Sequence, residues 1–333
     1  GRSMEPSDDA ARRRLPASRA KGNVIAIVRD LGVEDSAFAR LIAPVLTEFT
    51  GSLARGEWPS IQRLVGILYT PTILRDGRVL QTPGYDTESG FFLDFDPAAF
   101  PIVPNAPTLA NAQAVLRGFI APLFQGFPFE RWEHRSVAIS AMMSAVARSA
   151  FPTVPAHGFS APVMASGKTL LADVVCNVAT GKDATPISQA ESDEEFEKRI
   201  HSVQLEGQAV AVIDNVQRPV GNDALCTSIT STSSGIRKFR TQEIVRVPTW
   251  STIWLITGNN LTFEKDFRSR VLLSRIDPEM ERPENRTFAI KDLRAYVRKN
   301  RGEIVTAALT IVRAYILAGR PKVEIKPLNR FEE

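Results

Sequence analysis

The sequence predicts an α/β protein: a parallel sheet flanked by helices, with a mixed α+β block before it and helices after it. Three observations carry this. Strand-like and helix-like segments alternate across 151–280, as βαβ units do. One connection, in "APVMASGKTLLADVV" (161–175), has the form of a phosphate-binding loop opening a helix. Two apolar strand-like runs downstream end in polar residues, Asp214 and Asn215 in one, Asn259 and Asn260 in the other.

Composition sets the frame. The chain has 333 residues, 44% hydrophobic and 23% charged, ordinary for a soluble globular protein of two or three domains. No apolar run approaches the roughly 18 residues of a membrane helix, and the start lacks a signal-peptide apolar region. The expectation is no membrane partner and a cytoplasmic protein. Cys176 and Cys226 match no metal spacing, which fits a reducing compartment. The net charge of +4 is compatible with a polyanion partner. His134, His157 and His201 are scattered and read as structural or surface residues.

Residues 1–19 read as a tag remnant and a solvated tail carrying Arg12, Arg13 and Arg14. Residues 20–105 read as an accessory α+β domain. Its helix carries Phe38, Leu41, Ile42, Val45, Leu46 and Phe49 at helical spacing and stops at Gly51. A small β-meander is expected over 64–95, turned by Asp76-Gly77 and Pro83-Gly84. Trp58, Tyr69, Tyr85, Phe91 and Phe92 read as its core, and Asp86, Asp94 and Asp96 lack metal-ligand spacing. A proline-punctuated linker follows at 96–107. Residues 106–150 read as a helical linker or collar with a Thr108 cap and core methionines Met142 and Met143. The nucleotide core is expected over 151–286. Residues 287–333 read as C-terminal helices, closed by Gly319 and Pro321, with more protein expected beyond them.

The candidate chemistry starts at the loop. "VPAHGFSAP" reads as a buried strand, and "TLLADVVCNVATG" as a helix ending at Gly181. The helix N-terminus supplies free N–H groups and a positive dipole end to a phosphate. Candidate nucleotide-binding residues are Pro162, Ala165, Ser166, Gly167, Lys168, Thr169 and Leu170. Lys168 would reach the β- and γ-phosphates of ATP, and the Thr169 hydroxyl would ligate Mg²⁺. Pro162 stands where the consensus has glycine, and Ala165 where many such loops have an inner glycine. A positive φ at Ala165 would cost energy. "EGQAVAVIDNV" (206–216) reads as a strand ending in Asp214, placed to hold the Mg²⁺ water shell. "WSTIWLITGNNL" (250–261) reads as a second strand whose amide, Asn259 with Asn260 as alternative, positions a water. Arg268, Arg270 and Arg275 cluster next and suit developing phosphate charge.

In this order these elements resemble an AAA+ ATPase, and more narrowly the superfamily 3-like helicase modules of phage, plasmid and genomic-island primase-helicases. The likeness covers about 60–325 and includes "GYD", "TGNNL", "RSRVLLSRIDPEMERPENRTF" and "ALTIVRAYILAGRP". It implies a hexameric ring that hydrolyses ATP between subunits and pulls single-stranded or forked DNA through its pore, with a primase or polymerase as a possible partner. By position it gives Lys168 and Thr169 the Walker A roles, Asp214 Walker B, Asn259 sensor 1, and Arg268 or Arg270 the arginine finger. In such rings a hairpin before sensor 1 grips DNA. Arg237, Lys238, Phe239 and Arg240 in "STSSGIRKFRTQEIVRVPTW" are the candidates here, with Arg246 less favourably placed.

One departure stands out. Many AAA+ proteins carry Glu after the strand Asp, and here Asn215, which cannot act as a base, takes that place in the candidate catalytic set. Glu206, expected at the far start of the same strand, and Asp193, Glu194 and Glu195, at a helix start, are poor substitutes. Two other classes therefore stay open: a nucleotide-binding but weakly hydrolysing loader that assembles on DNA, and a P-loop metabolic kinase.

Overall fold

The computed structural model describes residues 64–237, 244–249, 252–264, 266–278, 290–322 and 331. The helix expected before Gly51, Trp58, and the hairpin residues Lys238, Phe239 and Arg240 lie outside them.

Five short strands open the described chain: β1 (Gly66–Leu68), β2 (Thr72–Ile73), β3 (Val79–Leu80), β4 (Gly84–Tyr85) and β5 (Phe91–Leu93). They are not a simple meander. β2 and β3 form their own antiparallel pair, while β5 pairs parallel with β1 and antiparallel with β4. The β2–β3 hairpin serves as the crossover that a parallel β1–β5 pairing demands. Its turn is the one the sequence marks: Gly77 has φ 90°, and Asp76 Oδ1 accepts from Arg78 N at 2.9 Å. Asp86 is an anchor rather than a metal ligand. It accepts from Arg78 Nη1 at 2.8 Å and from Ser89 N at 2.8 Å, and Arg78 holds its carboxyl well below the ordinary range.

Helix α1 (Leu109–Val115) starts in a capping box, Thr108 and Asn111 each bonding the other's backbone N–H. A π-turn over Leu116–Ile120 joins it to α2 (Ala121–Gln125), and α3 (Trp132–Val146) follows. The sheet then alternates with helices: β6 (Ala156–Ala161), α4 (Lys168–Thr180), β7 (Pro186–Ser188), α5 (Asp193–Glu206), β8 (Val210–Val216) and α6 (Asp223–Thr230). An antiparallel pair, β9 (Ser233–Arg237) and β10 (Ile244–Pro248), precedes β11 (Ile253–Asn259) and β12 (Val271–Arg275). Helices α7 (Leu293–Lys299) and α8 (Arg301–Leu317) complete the described elements. Glu206 closes α5 and does not begin β8, because Gly207 at φ 66° stops the helix there.

The central sheet has five parallel strands in the order β12-β6-β11-β8-β7, flanked by helices on both faces. Side chains alternate between two cores, as the period of a strand requires. Phe159, Val210, Val212, Ile253 and Leu255 face one core together with α3, α4 and α8. Ala211, Ile213, Trp254 and Ile256 face the other with α5 and α6. Helices on either side of 151–286 thus contribute to the same core as the sheet. His157 on β6 is fully buried beneath α3, with Nε2 3.3 Å from Ser140 Oγ, and burial pushes its pKa down to about 3. Among the described residues no helix is long and apolar enough to cross a membrane.

Candidate nucleotide site

In a parallel sheet every strand delivers its last residue to one edge. Here that edge collects Ser188 from β7, Asp214 from β8, Asn259 from β11, Ala161 from β6 and Arg275 from β12. The registers Ser188↔Asp214, Asn259↔Ala161 and Arg275↔Ser160 fix the alignment. The loop 162–167 leaves this edge and turns into α4, so the helix N-terminus points back at the strand ends.

Gly167 caps α4 with φ 103°, and a Cβ there would also stand 3.2 Å from the Phe127 ring. The positive φ favours glycine, and the approach to Phe127 would be tight for any side chain. Ala165 does have a positive φ, 56°. The left-handed region costs a non-glycine residue about 1–2 kcal/mol, so the loop stores strain at the inner position. Ser166 is buried and bonds the loop itself, Oγ to Val163 O at 3.2 Å. Lys168 Nζ lies back on the same loop, donating to Val163 O at 2.9 Å and to Ser166 Oγ at 3.0 Å. Burial lowers the Lys168 pKa, and the negative charge of Asp214 works against that shift. The ammonium and the carboxylate thus act on each other across the edge. Thr169 and Pro162 are exposed. Leu170 faces a cavity of about 290 Å³, whose wall also includes Leu123, Phe127, Leu293 and Arg294.

Asp214 sits in an irregularity that its sequence did not announce. The β8–β11 register pairs Ile213 with Ile256 but Val216 with Gly258, so β8 holds one residue more than β11. Asn215 takes up the excess at φ 53°, a conformation asparagine tolerates better than most residues. Its exposed side chain leaves the strand line. Thr257 bridges the bulge: its hydroxyl donates to Asp214 Oδ1 and accepts from Asn215 N at 3.2 Å. The quoted "TGNN" contained Thr257, but a threonine inside a β-branched run reads as strand filling.

Asn259 pairs with Ala161, the last strand residue before the loop, and Asn260 N donates to Ala161 O at 3.0 Å. Asn260 has φ 48°. Both amides therefore flank the loop.

The arginines separate. Arg270 directly precedes Val271, which pairs with Ala156 at the start of β6. The Arg270 backbone therefore stands at the start of β12, at the end of the sheet away from Arg275 and Ala161. Arg268 is exposed, with Nε donating to Phe263 O at 3.0 Å. The Arg270 side chain is only 14% exposed and its guanidinium bonds Asp266 O. Arg275, in the same sequence cluster but not offered as the arginine finger, is exposed at the loop's own edge.

On the β9–β10 pair, Arg237 lies opposite Ile244 and Arg246 opposite Gly235, all on one face. Ile236 and Val247 on the other face are buried. Arg246 thus shares the outward face of Arg237. Asp193, Glu194 and Glu195 occupy the first turn of α5 below its Ser192 cap, complementing the helix dipole.

No protein-family model matches the sequence. No curated protein matches it either. Among solved structures, an apo form of the NrS-1 C-terminal region matches at TM-score 0.43 and 12% identity, covering 73% of this chain and 56% of that one. A second apo structure of that region matches at TM-score 0.40 and 10% identity, covering 73% and 61%. JCV Helicase with a bound small molecule matches at TM-score 0.29 and 14% identity, covering 67% and 64%. The chain spans 56–64% of the length of these structures.

Proposed function

We propose that the chain is an ATP-dependent DNA helicase or translocase of the AAA+ superfamily 3 kind, serving replication of a mobile element. One observation carries the reading: Lys168, Thr169, Asp214 and Asn259, spread over 92 positions of sequence, converge on one edge of a parallel sheet around a helix N-terminus.

The N–H groups of the first turn of α4 receive phosphate oxygens, and the Lys168 ammonium supplies positive charge once it leaves Val163 O. The adjoining cavity, walled by Phe127, Leu170 and Leu293, suits the flat apolar face of a nucleobase. Thr169 and Asp214 would hold Mg²⁺. Among the described residues no cluster of three or more carboxylate, His or Cys side chains offers a full metal cage. A hydroxyl and one carboxylate, completed by phosphate and water oxygens, is the donor set this hard cation takes, and it neutralises phosphate charge when bound. Asn259 orients the attacking water.

The exposed Arg268 bonds Phe263 O through Nε, not the loop around Lys168. This supports a ring in which it serves the neighbouring subunit, with the outward face of Arg237 and Arg246 toward single-stranded DNA. The loop residues Lys238, Phe239 and Arg240 belong to that same reading.

A second reading has its own support. Ala165 strains the loop, Lys168 is bonded to it, and Asn215 replaces a carboxylate. These favour a loader that binds ATP, assembles on DNA and turns over slowly. ATP hydrolysis with and without single-stranded DNA, on wild type and Lys168→Ala, decides. DNA-stimulated turnover lost in Lys168→Ala supports the motor. Equal background rates in both, with ATP-dependent assembly on DNA, support the loader. Unwinding of a forked duplex then separates helicase from translocase.

A further inference from the structure

Three arginines of the C-terminal helices reach the helix that follows the phosphate loop, Arg294 and Arg301 directly and Arg298 through Asp183 just beyond its end. Arg294 donates through Nε to Asp173 Oδ2 at 2.9 Å, and through Nη2 to the same oxygen. Asp173 is buried in the second turn of α4. Arg298 Nη2 donates to both oxygens of Asp183, at 2.8 and 2.6 Å, and Asn177 of α4 donates to the same carboxylate at 2.5 Å. Arg301 reaches the C-terminus of α4. Its Nε donates to Asn177 O at 3.1 Å and Val178 O at 3.0 Å, and its Nη2 to Ala179 O at 3.3 Å. The same Nη2 touches Tyr69 O at 3.4 Å, and the guanidinium lies 5.2 Å from the centre of the Phe100 ring.

Arg294 and Arg298 are i and i+4 on α7 and so share a face. Arg301 opens α8, directly after the non-helical Asn300 (φ −105°, ψ 19°) that separates the two helices. A helix C-terminus exposes unpaired carbonyls and partial negative charge, which a cation satisfies. Arg301 supplies that cation from outside the helix, while Arg294 grips the helix in its second turn. Arg294 also forms part of the cavity wall beside Leu170.

We propose that Arg294, Arg298 and Arg301 are positioning residues, a comb that fixes α4 along its axis and couples the C-terminal helices to Lys168 and Thr169 at its far end. The comb's effect on nucleotide rests on the function proposed above; its effect on α4 does not.

The test is amide hydrogen exchange on the full chain, for wild type, Arg298→Ala, Arg301→Ala and Arg301→Lys. Each is measured alone and with a non-hydrolysable ATP analogue and Mg²⁺. Without nucleotide, Arg301→Ala should speed exchange over 171–179 by about tenfold, while β8 and β11 stay within about twofold. Arg301→Lys, which keeps a donor and the charge, should recover most of that loss. The analogue's Kd should rise by about tenfold in Arg301→Ala, roughly the effect of one charge-assisted bond. Unchanged exchange over 171–179 in both alanine variants overturns the proposal. Equal acceleration in helix and sheet also overturns it, since the arginines then only stabilise the fold. If wild type binds no analogue, the nucleotide reading fails while the exchange without nucleotide still decides the comb. Should Arg301→Ala not fold, Arg298→Ala carries the same readout, because its side chain is half exposed.

Discussion

The hydroxyl of Thr257 is hydrogen-bonded to the carboxylate of Asp214 on the neighbouring parallel strand. The same hydroxyl receives the N–H of Asn215, so a single oxygen sets both the aim of the carboxylate and the shape of the bulge that carries it. Thr257→Val keeps volume and branching but removes donor and acceptor together. It should cost about 1–3 kcal/mol of stability, the penalty for polar groups left unpaired in a buried place. ATP turnover should fall at least about tenfold as Asp214 loses its orientation, a change worth 1.4 kcal/mol in the barrier. Thr257→Ser should retain most of both. Thermal melts and steady-state hydrolysis of the three proteins check this.

Ala165→Gly should stabilise the protein. The backbone already sits at φ 56°, where alanine is strained and glycine is not. A gain of about 1 kcal/mol would raise the melting temperature by roughly 2–4 °C in a domain of this size. An unchanged or lowered melting temperature would show that the loop relaxes at no cost in the wild type.

Acid should destabilise the fold through His157. Its folded pKa is about 3, against an ordinary value near 6.5, because burial excludes the charged ring. Between those values the unfolded chain binds a proton that the folded chain does not. Stability is therefore complete above about pH 6.5 and falls by up to about 1.4 kcal/mol per pH unit below it. His157→Gln, which still faces Ser140, should flatten this slope in urea titrations between pH 6.5 and 4. A slope identical to wild type would assign the acid sensitivity elsewhere.

The ring reading puts Arg268 in the neighbouring subunit's site, and so makes a complementation prediction. Arg268→Ala and Lys168→Ala should each be inactive alone, and mixing them should restore part of the DNA-stimulated hydrolysis. Arg270→Ala should instead lower stability, because its guanidinium is enclosed against Asp266. A mixture no more active than its components would remove Arg268 from the neighbour's site.

Much of the sheet was legible in the sequence because parallel strands are buried on both faces and read as apolar runs. Ala161 and Asn259 fall at strand ends as their runs indicate, while β8 runs two residues past Asp214. A glycine did the same for one helix end, at Gly181, while Gly207, read as part of a strand, in fact closes α5. The bulge at Asn215 was not legible, because an extra residue becomes visible only against the register of the partner strand. The separation of Arg270 from Arg275 was hidden for a related reason. Residues five to seven positions from Arg275 look clustered in sequence, yet β12 carries Arg275 to the other end of the sheet. Arg301 gave no signal at all, since its partners are carbonyls, which every residue has. The β1–β5 pairing escaped because nothing in a short apolar run says whether its partner runs with it or against it.

The seat of Arg301 also bears on how this chain can be taken apart. The next residue, Gly302, lies so close to the carbonyl of Ala99 that no side chain fits between them. Thr306 Oγ1 donates to Pro101 O at 2.8 Å one turn later. The last long helix is therefore wedged against a segment 200 positions earlier, over the same face of the sheet that α4 covers. A recombinant fragment cut at 150 and 286 would keep every residue of the nucleotide edge and lose the wall behind it. A fragment that keeps this wall must include both the segment around residues 99–101 and α8.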